Sequence, residues 1–491
     1  MNILFLNPPF KGRFSRASRS PAVAKGGTLY YPVWLAQAAA VSSAHGFAVR
    51  LLDAPADGLD LSDVFVRLKD FSPDILVLDT STGSISSDLD CLTALKQSYP
   101  DLFTIVVGTH PTARPDETLR ANPNIDCVAR REYDYTVLEI ASEITSTAPE
   151  LSKILGISFR SNDKIVSTED RPPIEDLDQL PFQSIIYKSH LHYKNYFFAA
   201  ANYPIVQIMT GRGCPFKCTW CVYPQVFHGH KYRVRSATHV VDEFEYIVKN
   251  FPGVREIGIE DDCFTANRGR VREICNLLIE RKIKIKWYAN VRGDVPYDLL
   301  KLMKKAGCRL VTVGFESNDQ SVLDAMKKGA RVSKYYQFAK DARKAGLMVH
   351  GCIMVGNPGD TPEKLAQYFS FAKEINCDSM QFYPVYLYPG TEAYEHASKN
   401  KLLRNNDYAN WLTDDGLHNC TFDTPNMSAE QMLALCDYYL TRFHLRPRYI
   451  GKKLVQAFVY PSEGLRTAKS AIVFMKKIVS GQLSFSKPPA A

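Results

Sequence analysis

Short, almost wholly apolar runs alternate with amphipathic stretches along the first 150 residues. Residues 3–6 read as a buried strand halted at Asn7-Pro8-Pro9. Pro32 then opens a helix with the stripe Trp34, Leu35, Ala38 and Val41, and Gly46 closes it. Further strands are predicted at 48–52, 75–78, 103–107 and 125–129, with helices over 61–71 and 86–99 between them. Residues 155–159 and 164–166 form a hairpin pattern, and 171–181 is a proline-spaced linker. The aromatic-rich stretch 187–203 reads either as a lid or as a surface loop packed by its own rings. At residue 205 the alternation restarts, with strands near 205–209, 254–259, 283–289, 309–315, 348–355 and 379–385.

Near-continuous apolar strands alternating with helices mean a parallel sheet covered on both faces. The expected class is α/β throughout its first two units. Residues 1–147 make a Rossmann-like, flavodoxin-like domain, 148–204 a hairpin and linker, and 205–390 a partial (β/α)6 barrel. Residues 391–491 form a mostly helical region. Ligands of open α/β sheets sit beyond the carboxyl ends of the strands, and barrel chemistry collects at the same ends. In the first unit those ends carry Pro8, Pro9, Thr80, Ser81, Thr82, Gly108 and His110. In the second they carry Glu260-Asp261-Asp262, Asn290, Arg292, Glu316-Ser317 and the run Gly351 to Pro358, which includes Gly356. No G-x-G-x-x-G follows the first strand, which disfavours a nicotinamide or flavin dinucleotide.

Composition narrows the partners. The net charge is +8, yet from Arg442 onward ten Lys/Arg face the single acid Glu463, leaving the body near neutral. That argues against nucleic acid as a partner. In the last helix Leu465, Ala468, Ile472, Met475 and Val479 share one face, beside Arg466, Lys469, Lys476 and Lys477. Such a helix either caps the barrel with its charges in water or rests peripherally on an anionic bilayer, and capping is the expectation. The N-terminus has no signal-peptide pattern, no run is long enough to span a membrane, and a cytoplasmic protein is expected, membrane-associated only through that helix. Scattered Cys91, Cys127, Cys275, Cys308, Cys352, Cys377, Cys420 and Cys436 read as buried apolar residues in a reducing compartment.

Cys214, Cys218 and Cys221 are different. They stand in a C-x3-C-x2-C spacing directly after the strand at 205–209, with Trp220 before the last cysteine. Cubane iron–sulfur clusters are normally held by four thiolates, so three leave one iron open for chemistry. A structural zinc site is the alternative, with His228 or His230 as fourth ligand.

The cysteine motif resembles that of radical SAM enzymes, and residues 1–145 resemble the cobalamin-binding domain that precedes many of them. The second resemblance rests on Asn7-Pro8-Pro9, Tyr31 to Leu35, Asp79 to Thr82, Gly108 to Thr112 and Arg131-Glu132-Tyr133. It implies a [4Fe–4S] cluster on Cys214, Cys218 and Cys221, with S-adenosylmethionine (SAM) chelating the open iron. SAM would be held by Trp220, Glu260, Asp261, Asp262, Asn290, Arg292, Glu316, Ser317, Gly356 and Pro358. Cobalamin would be held by Pro8, Pro9, Thr80, Ser81, Thr82, Gly108, His110 and Glu132. The D-x-H-x-x-G element that supplies a cobalt-ligating histidine is missing, so cobalt is expected to lack a protein ligand. Tyr388-Pro389-Gly390-Thr391 is a further shared feature.

The resemblance implies cleavage of SAM to a 5′-deoxyadenosyl radical, hydrogen abstraction from an unactivated carbon, and methylation through cobalamin, with S-adenosylhomocysteine as by-product. A flavodoxin- or ferredoxin-type donor would supply the electron. Segments 31–37, 53–58 and 171–181 are similar to the hopanoid-biosynthesis-associated subgroup. That similarity keeps open a radical rearrangement, a ring contraction or cyclisation of a lipid-linked sugar. A non-enzymatic cobalamin or zinc sensor is the third class. No residue reads as a substrate base, and neither substrate nor oligomeric state follows from the sequence.

Overall fold

The computed structural model describes all residues but 163, 405, 406, 460 and 480–491, and describes no side chain at Pro461, Ser462 or Lys477. Part of the basic tail, including the Lys477 side chain, therefore lies outside the described residues.

The first sheet contains β1 (Asn2–Asn7), β2 (Ala48–Asp53), β3 (Ile75–Asp79), β4 (Phe103–Val107) and β5 (Cys127–Ala129). Hairpin strands β6 (Ile157–Ser161) and β7 (Lys164–Ser167) follow in the same sheet, in the order β2-β1-β3-β4-β5-β6-β7. The first five are mutually parallel, and the hairpin continues them antiparallel. Its Phe159–Cys127 pairing shields the β5 edge, so the hairpin belongs to this sheet and not to the linker. Strand β3 is buried along its whole length, as a central strand covered on both faces must be. The order switches at β1, flanked by β2 and β3, which places a crevice over Asn7, Asp53 and Asp79.

After the first barrel strand β8 (Ile205–Ile208), the ribbon β9 (Gly211–Arg212) and β10 (Arg233–Val234) brackets a long loop. Strands β11 (Glu256–Ile259), β12 (Lys286–Val291), β13 (Cys308–Glu316), β14 (Met348–Val355) and β15 (Ser379–Pro384) complete a six-stranded parallel sheet. Its strands lie side by side in chain order from β8 to β15, the arrangement of an open barrel.

The two sheets share a continuous apolar core running from Ile3 and Phe5 through Ile205 to Phe443. Polar bonds fix their register. Tyr31, stacked on Tyr196, donates its hydroxyl to the Ile205 carbonyl at 2.9 Å. Glu132, predicted to face a corrin, instead sits in a buried ion network. It pairs with Arg212 at 3.3 Å, with Arg233, and with His228 at 3.2 Å. Burial opposes its charge, but Arg212, His228 and Arg233 outweigh burial and hold its carboxyl well below the usual range.

The C-terminal region differs from expectation. Helices Pro447–Val459 and Pro461–Val479 form a hairpin under the barrel. The predicted apolar face is turned outward, with Leu465, Ala468, Ile472, Met475 and Val479 all exposed. Of its polar neighbours, Arg466 turns in and donates to the Ala199 carbonyl at 2.7 Å, Lys469 lies over the Phe197 and Tyr203 rings, and Lys476 stays exposed. The hairpin is thus held largely by polar contacts, to the 197–203 loop, to Arg309 through Glu463 at 2.8 Å and to Asp378 through Lys452 at 2.9 Å, the reverse of an ordinary cap.

Candidate functional site

Cys214, Cys218 and Cys221 lie half-buried on the loop between β9 and β10. The Gln225 side-chain amide donates to the carbonyls of Cys218, Thr219 and Cys221 at 3.0, 3.0 and 3.1 Å, folding the loop around itself. The Thr219 N–H donates to the Met326 carbonyl at 3.1 Å, tying the loop to the end of the short helix Gln320–Ala325 that follows β13. Burial, then neighbouring Cys263, pushes the Cys214 thiol up to about 12. Burial likewise raises Cys218 and Cys221. Thiolates here need a cationic partner, and cluster iron is one.

The histidines weighed as zinc ligands are engaged elsewhere. His228 meets Glu132 and lies 4.2 Å from the Trp34 ring, and His230 faces the Cys214 and Phe216 carbonyls at 3.2 Å. Among the described residues no three His, Cys, Asp or Glu side chains converge on a single-ion site.

The strand ends of β11 to β13 face the same space. Glu260 accepts from Gln207 at 3.0 Å and Tyr288 at 2.8 Å on one oxygen, and from Asn290 at 3.0 Å on the other. Both Asp262 carboxylate oxygens are buried without a hydrogen-bond donor, an arrangement that asks for one. Their nearest cation is Arg19, at 3.6 Å. Burial opposes the Arg19 charge, but Asp262 and Glu260 outweigh it and raise its pKa. Arg292 lies 3.6 Å over the Phe216 ring and donates to the Lys328 and Gly329 carbonyls at 3.1 and 2.8 Å, bracing the cysteine loop. Glu316, at a positive φ of 64° where β13 ends, pairs with Lys328 at 3.1 Å and accepts from Tyr383 at 3.2 Å. The Trp220 ring lies 5.9 Å from the Lys328 ammonium, and its indole N–H is buried without an acceptor.

These groups line one cavity of about 950 Å³, which also receives Ser15, Ala17, Ser18, Arg19 and Ser20 from the loop after β1. Four residues predicted to hold SAM lie off it, as do all eight predicted to hold cobalamin. Asp261 is committed to the strand end, accepting from the Thr210 N–H and hydroxyl at 2.6 Å each and from the Tyr232 hydroxyl at 3.0 Å. Ser317 closes a turn onto Asp319. Pro358 is exposed. At Gly356 the space a side chain would take is filled by Met432 Sδ, 2.7 Å from an added Cβ. Contributors that sequence reasoning missed are Arg19, Gln207, Tyr288, Lys328 and Cys263. Cys352, expected in the core, is half-buried and lines the cavity too.

The crevice of the first sheet is a second polar centre. Asn7 donates to Asp53 at 2.7 Å, and Thr80 and Ser84 each donate to Asp88 at 2.7 Å. Arg16 reaches back from the following loop to Asp88 and to the Asn7 and Pro8 carbonyl-type oxygens, at 2.6 Å for Asn7 and 2.9 Å for Pro8. Ser81 bonds Ser84 at 2.9 Å. His110 meets Thr82 at 3.3 Å and the Tyr408 ring at 4.7 Å. Burial, then Arg114, lowers His110 to about 3, so it stays neutral. Burial, then the charges of Asp88 and Asp53, raise Asp79 to about 7 against the lowering pull of Arg16. Gly108 has φ of 124°, and an added Cβ would stand 2.2 Å from the Thr80 carbonyl oxygen, so only glycine keeps this strand end open. Pro8 and Glu132 are buried and Pro9 half-buried. A glycine-floored rim of hydroxyls and amides suits a large polar-edged ring such as a corrin.

Comparison with known proteins agrees with this geometry. The B12 binding domain matches residues 19–141 and the Radical SAM superfamily residues 208–372. An uncharacterized methyltransferase of Pyrococcus horikoshii is 30% identical over 458 residues, 93% of this chain and 95% of the relative. The anaerobic magnesium-protoporphyrin IX monomethyl ester cyclase of Rubrivivax gelatinosus is 28% identical over 390 residues, 77% of this chain and 66% of the relative. In fold, the chain is similar to the radical SAM methyltransferase TsrM of Kitasatospora setae, solved with cobalamin and a [4Fe–4S] cluster. The TM-score is 0.67 at 14% identity, covering 91% of this chain and 89% of the other. With two domains in this order and a relative aligned almost end to end, the chain belongs to the B12-binding radical SAM enzymes, whose cofactors are a [4Fe–4S] cluster, SAM and cobalamin.

Proposed function

We propose that this enzyme methylates an unactivated carbon of a small-molecule or lipid-linked biosynthetic intermediate. One observation carries the reading. The cavity that holds the three cysteines and the Glu260, Asp262 and Glu316 carboxylates also takes in the 15–34 segment of the first domain, Trp34 included. Groups bound at the two strand-end sites would therefore meet over one substrate. The chemistry they supply when bound is hydrogen abstraction by a 5′-deoxyadenosyl radical and transfer of a methyl group from cobalamin.

The protein's part is to hold, orient and exclude. Cys214, Cys218 and Cys221 hold the cluster. Glu260 and Asp262 take the methionine ammonium, with Gln207, Tyr288 and Asn290 fixing the Glu260 carboxylate. Glu316, set by Lys328 and Tyr383, would take the ribose hydroxyls. The walls are largely apolar and keep water from a radical. Pro215 and Lys217 at the tip of the cysteine loop are exposed, giving a flavodoxin- or ferredoxin-type donor a short route to the cluster. We assign no substrate base. The alternative, a radical cyclisation, is favoured by the similarity to the ester cyclase.

Products separate the two. Anaerobically reconstituted enzyme turning over its substrate is expected to release 5′-deoxyadenosine and S-adenosylhomocysteine together. Turnover without S-adenosylhomocysteine overturns methyl transfer in favour of rearrangement. Cys218→Ala is expected to abolish SAM cleavage, and retained cleavage would remove the cluster assignment.

A further inference from the structure

Sixteen large apolar side chains are exposed on the described surface, and nine of them lie on the C-terminal hairpin. The other seven are scattered singly, as on any globular protein. On the first helix of the hairpin the nine include Ile450, Leu454, Val455 and Phe458, and on the second Leu465, Ile472, Met475 and Val479. Phe458 is 90% exposed, Val479 83% and Leu465 75%. The patch is therefore continuous across two packed helices, and no helix of the described chain is long and apolar enough to cross a membrane.

Two further observations say what covers it. From Arg442 to Val479 the sequence has nine Lys/Arg and one acid, and that acid, Glu463, is buried between Arg309 at 2.8 Å and Arg466 at 2.9 Å. Asp378 offsets Lys452 at 2.9 Å and Glu463 offsets Arg466, while Arg448, Lys469 and Lys476 have no acid at ion-pair distance among the described residues, so the patch is flanked by net positive charge. Ile450, Leu454 and Met475 are exposed on the patch and also line the cavity of the functional site. The cavity opens inside the apolar patch.

We propose that the C-terminal hairpin docks the enzyme on an anionic lipid bilayer, with the lower mouth of the barrel pressed to the membrane so that a lipid substrate passes from the bilayer into the cavity. Apolar side chains enter the acyl boundary while Arg448 and Lys476 meet lipid phosphates. The lipid class of the substrate rests on the reaction proposed above, whereas the docking does not.

The test is flotation of the full-length protein with vesicles. Recovery with phosphatidylcholine containing about 30% phosphatidylglycerol is expected to exceed that with phosphatidylcholine alone about tenfold, and to fall as salt rises. The triple variant Phe458→Glu, Leu465→Glu, Ile472→Glu is expected to lose that binding while keeping the melting midpoint and SAM cleavage, since these side chains stand in solvent. Full-length protein that stays unbound at every composition overturns the proposal. So does a triple variant that floats equally well, or a concentration-dependent dimer that the variant dissolves, which would assign the patch to a second copy. Vesicle binding needs neither cluster nor corrin, so its failure leaves the proposed reaction standing, and failure of methyl transfer leaves the docking standing.

Discussion

Asp79 shows how single residues report on the crevice. Its carboxyl is buried, has no side-chain donor among the described residues, and titrates near 7 in the folded chain, against an ordinary 3.8. As pH rises from 3.8 the unfolded chain gives up this proton first, so stability falls across the window and the cost is fully present above 7. Asp79→Asn is therefore expected to stabilise the protein at pH 8 by up to about 4 kcal/mol, and by almost nothing at pH 4. Thermal melts of both proteins at the two pH values check this. Gly108→Val drives a side chain into the Thr80 carbonyl and is expected to abolish corrin retention, read from the corrin absorbance of purified protein. Asp262→Asn removes a charge and is expected to weaken SAM binding by about tenfold or more while leaving iron content unchanged, measured by equilibrium binding. At this scale the cysteines were legible because three thiols at one spacing have few other uses. Arg19 was not, because its partners Glu260 and Asp262 lie some 240 residues away and nothing local marks the pairing.

Elements were legible where one period held. The strands of both sheets fall within a few residues of the apolar runs that predicted them, since buried parallel strands leave no polar positions to blur the signal. Positions governed by tertiary packing were not legible. Glycine at 356 promised an open approach to a flat ring, yet Met432 from helix Ala429–His444 fills that space. Glu132 promised a ligand edge, yet Arg212 and Arg233 from the β9–β10 ribbon claim it. The network joins the two sheets, so Glu132→Ala leaves the buried Arg233 guanidinium without a carboxylate, while Arg212 keeps Asp134 at 2.7 Å. A loss of about 3–5 kcal/mol is expected, seen as a lowered melting midpoint, with Glu132→Gln intermediate. The amphipathic stripe at 465–479 was read correctly and oriented wrongly, because a stripe does not say which side of a helix the rest of the protein takes.

Taken whole, the molecule sets the metal-binding loop in a cavity walled on its other side by the 15–34 segment, with the polar crevice of the first sheet behind that segment and an apolar opening below. The loop after β1 makes this possible. It carries Arg16 down into the crevice and Arg19 across to the barrel acids, three residues apart. Domain order and barrel type followed from the β/α alternation, but this bridging did not, since residues 10–31 have no period to read. The most direct measurement is the metal and corrin content of protein prepared and reconstituted without oxygen, with Cys218→Ala beside it. About four irons and four acid-labile sulfides per chain are expected together with one corrin, and the variant is expected to lose iron and sulfide while keeping corrin. Stoichiometric zinc without acid-labile sulfide would contradict the account.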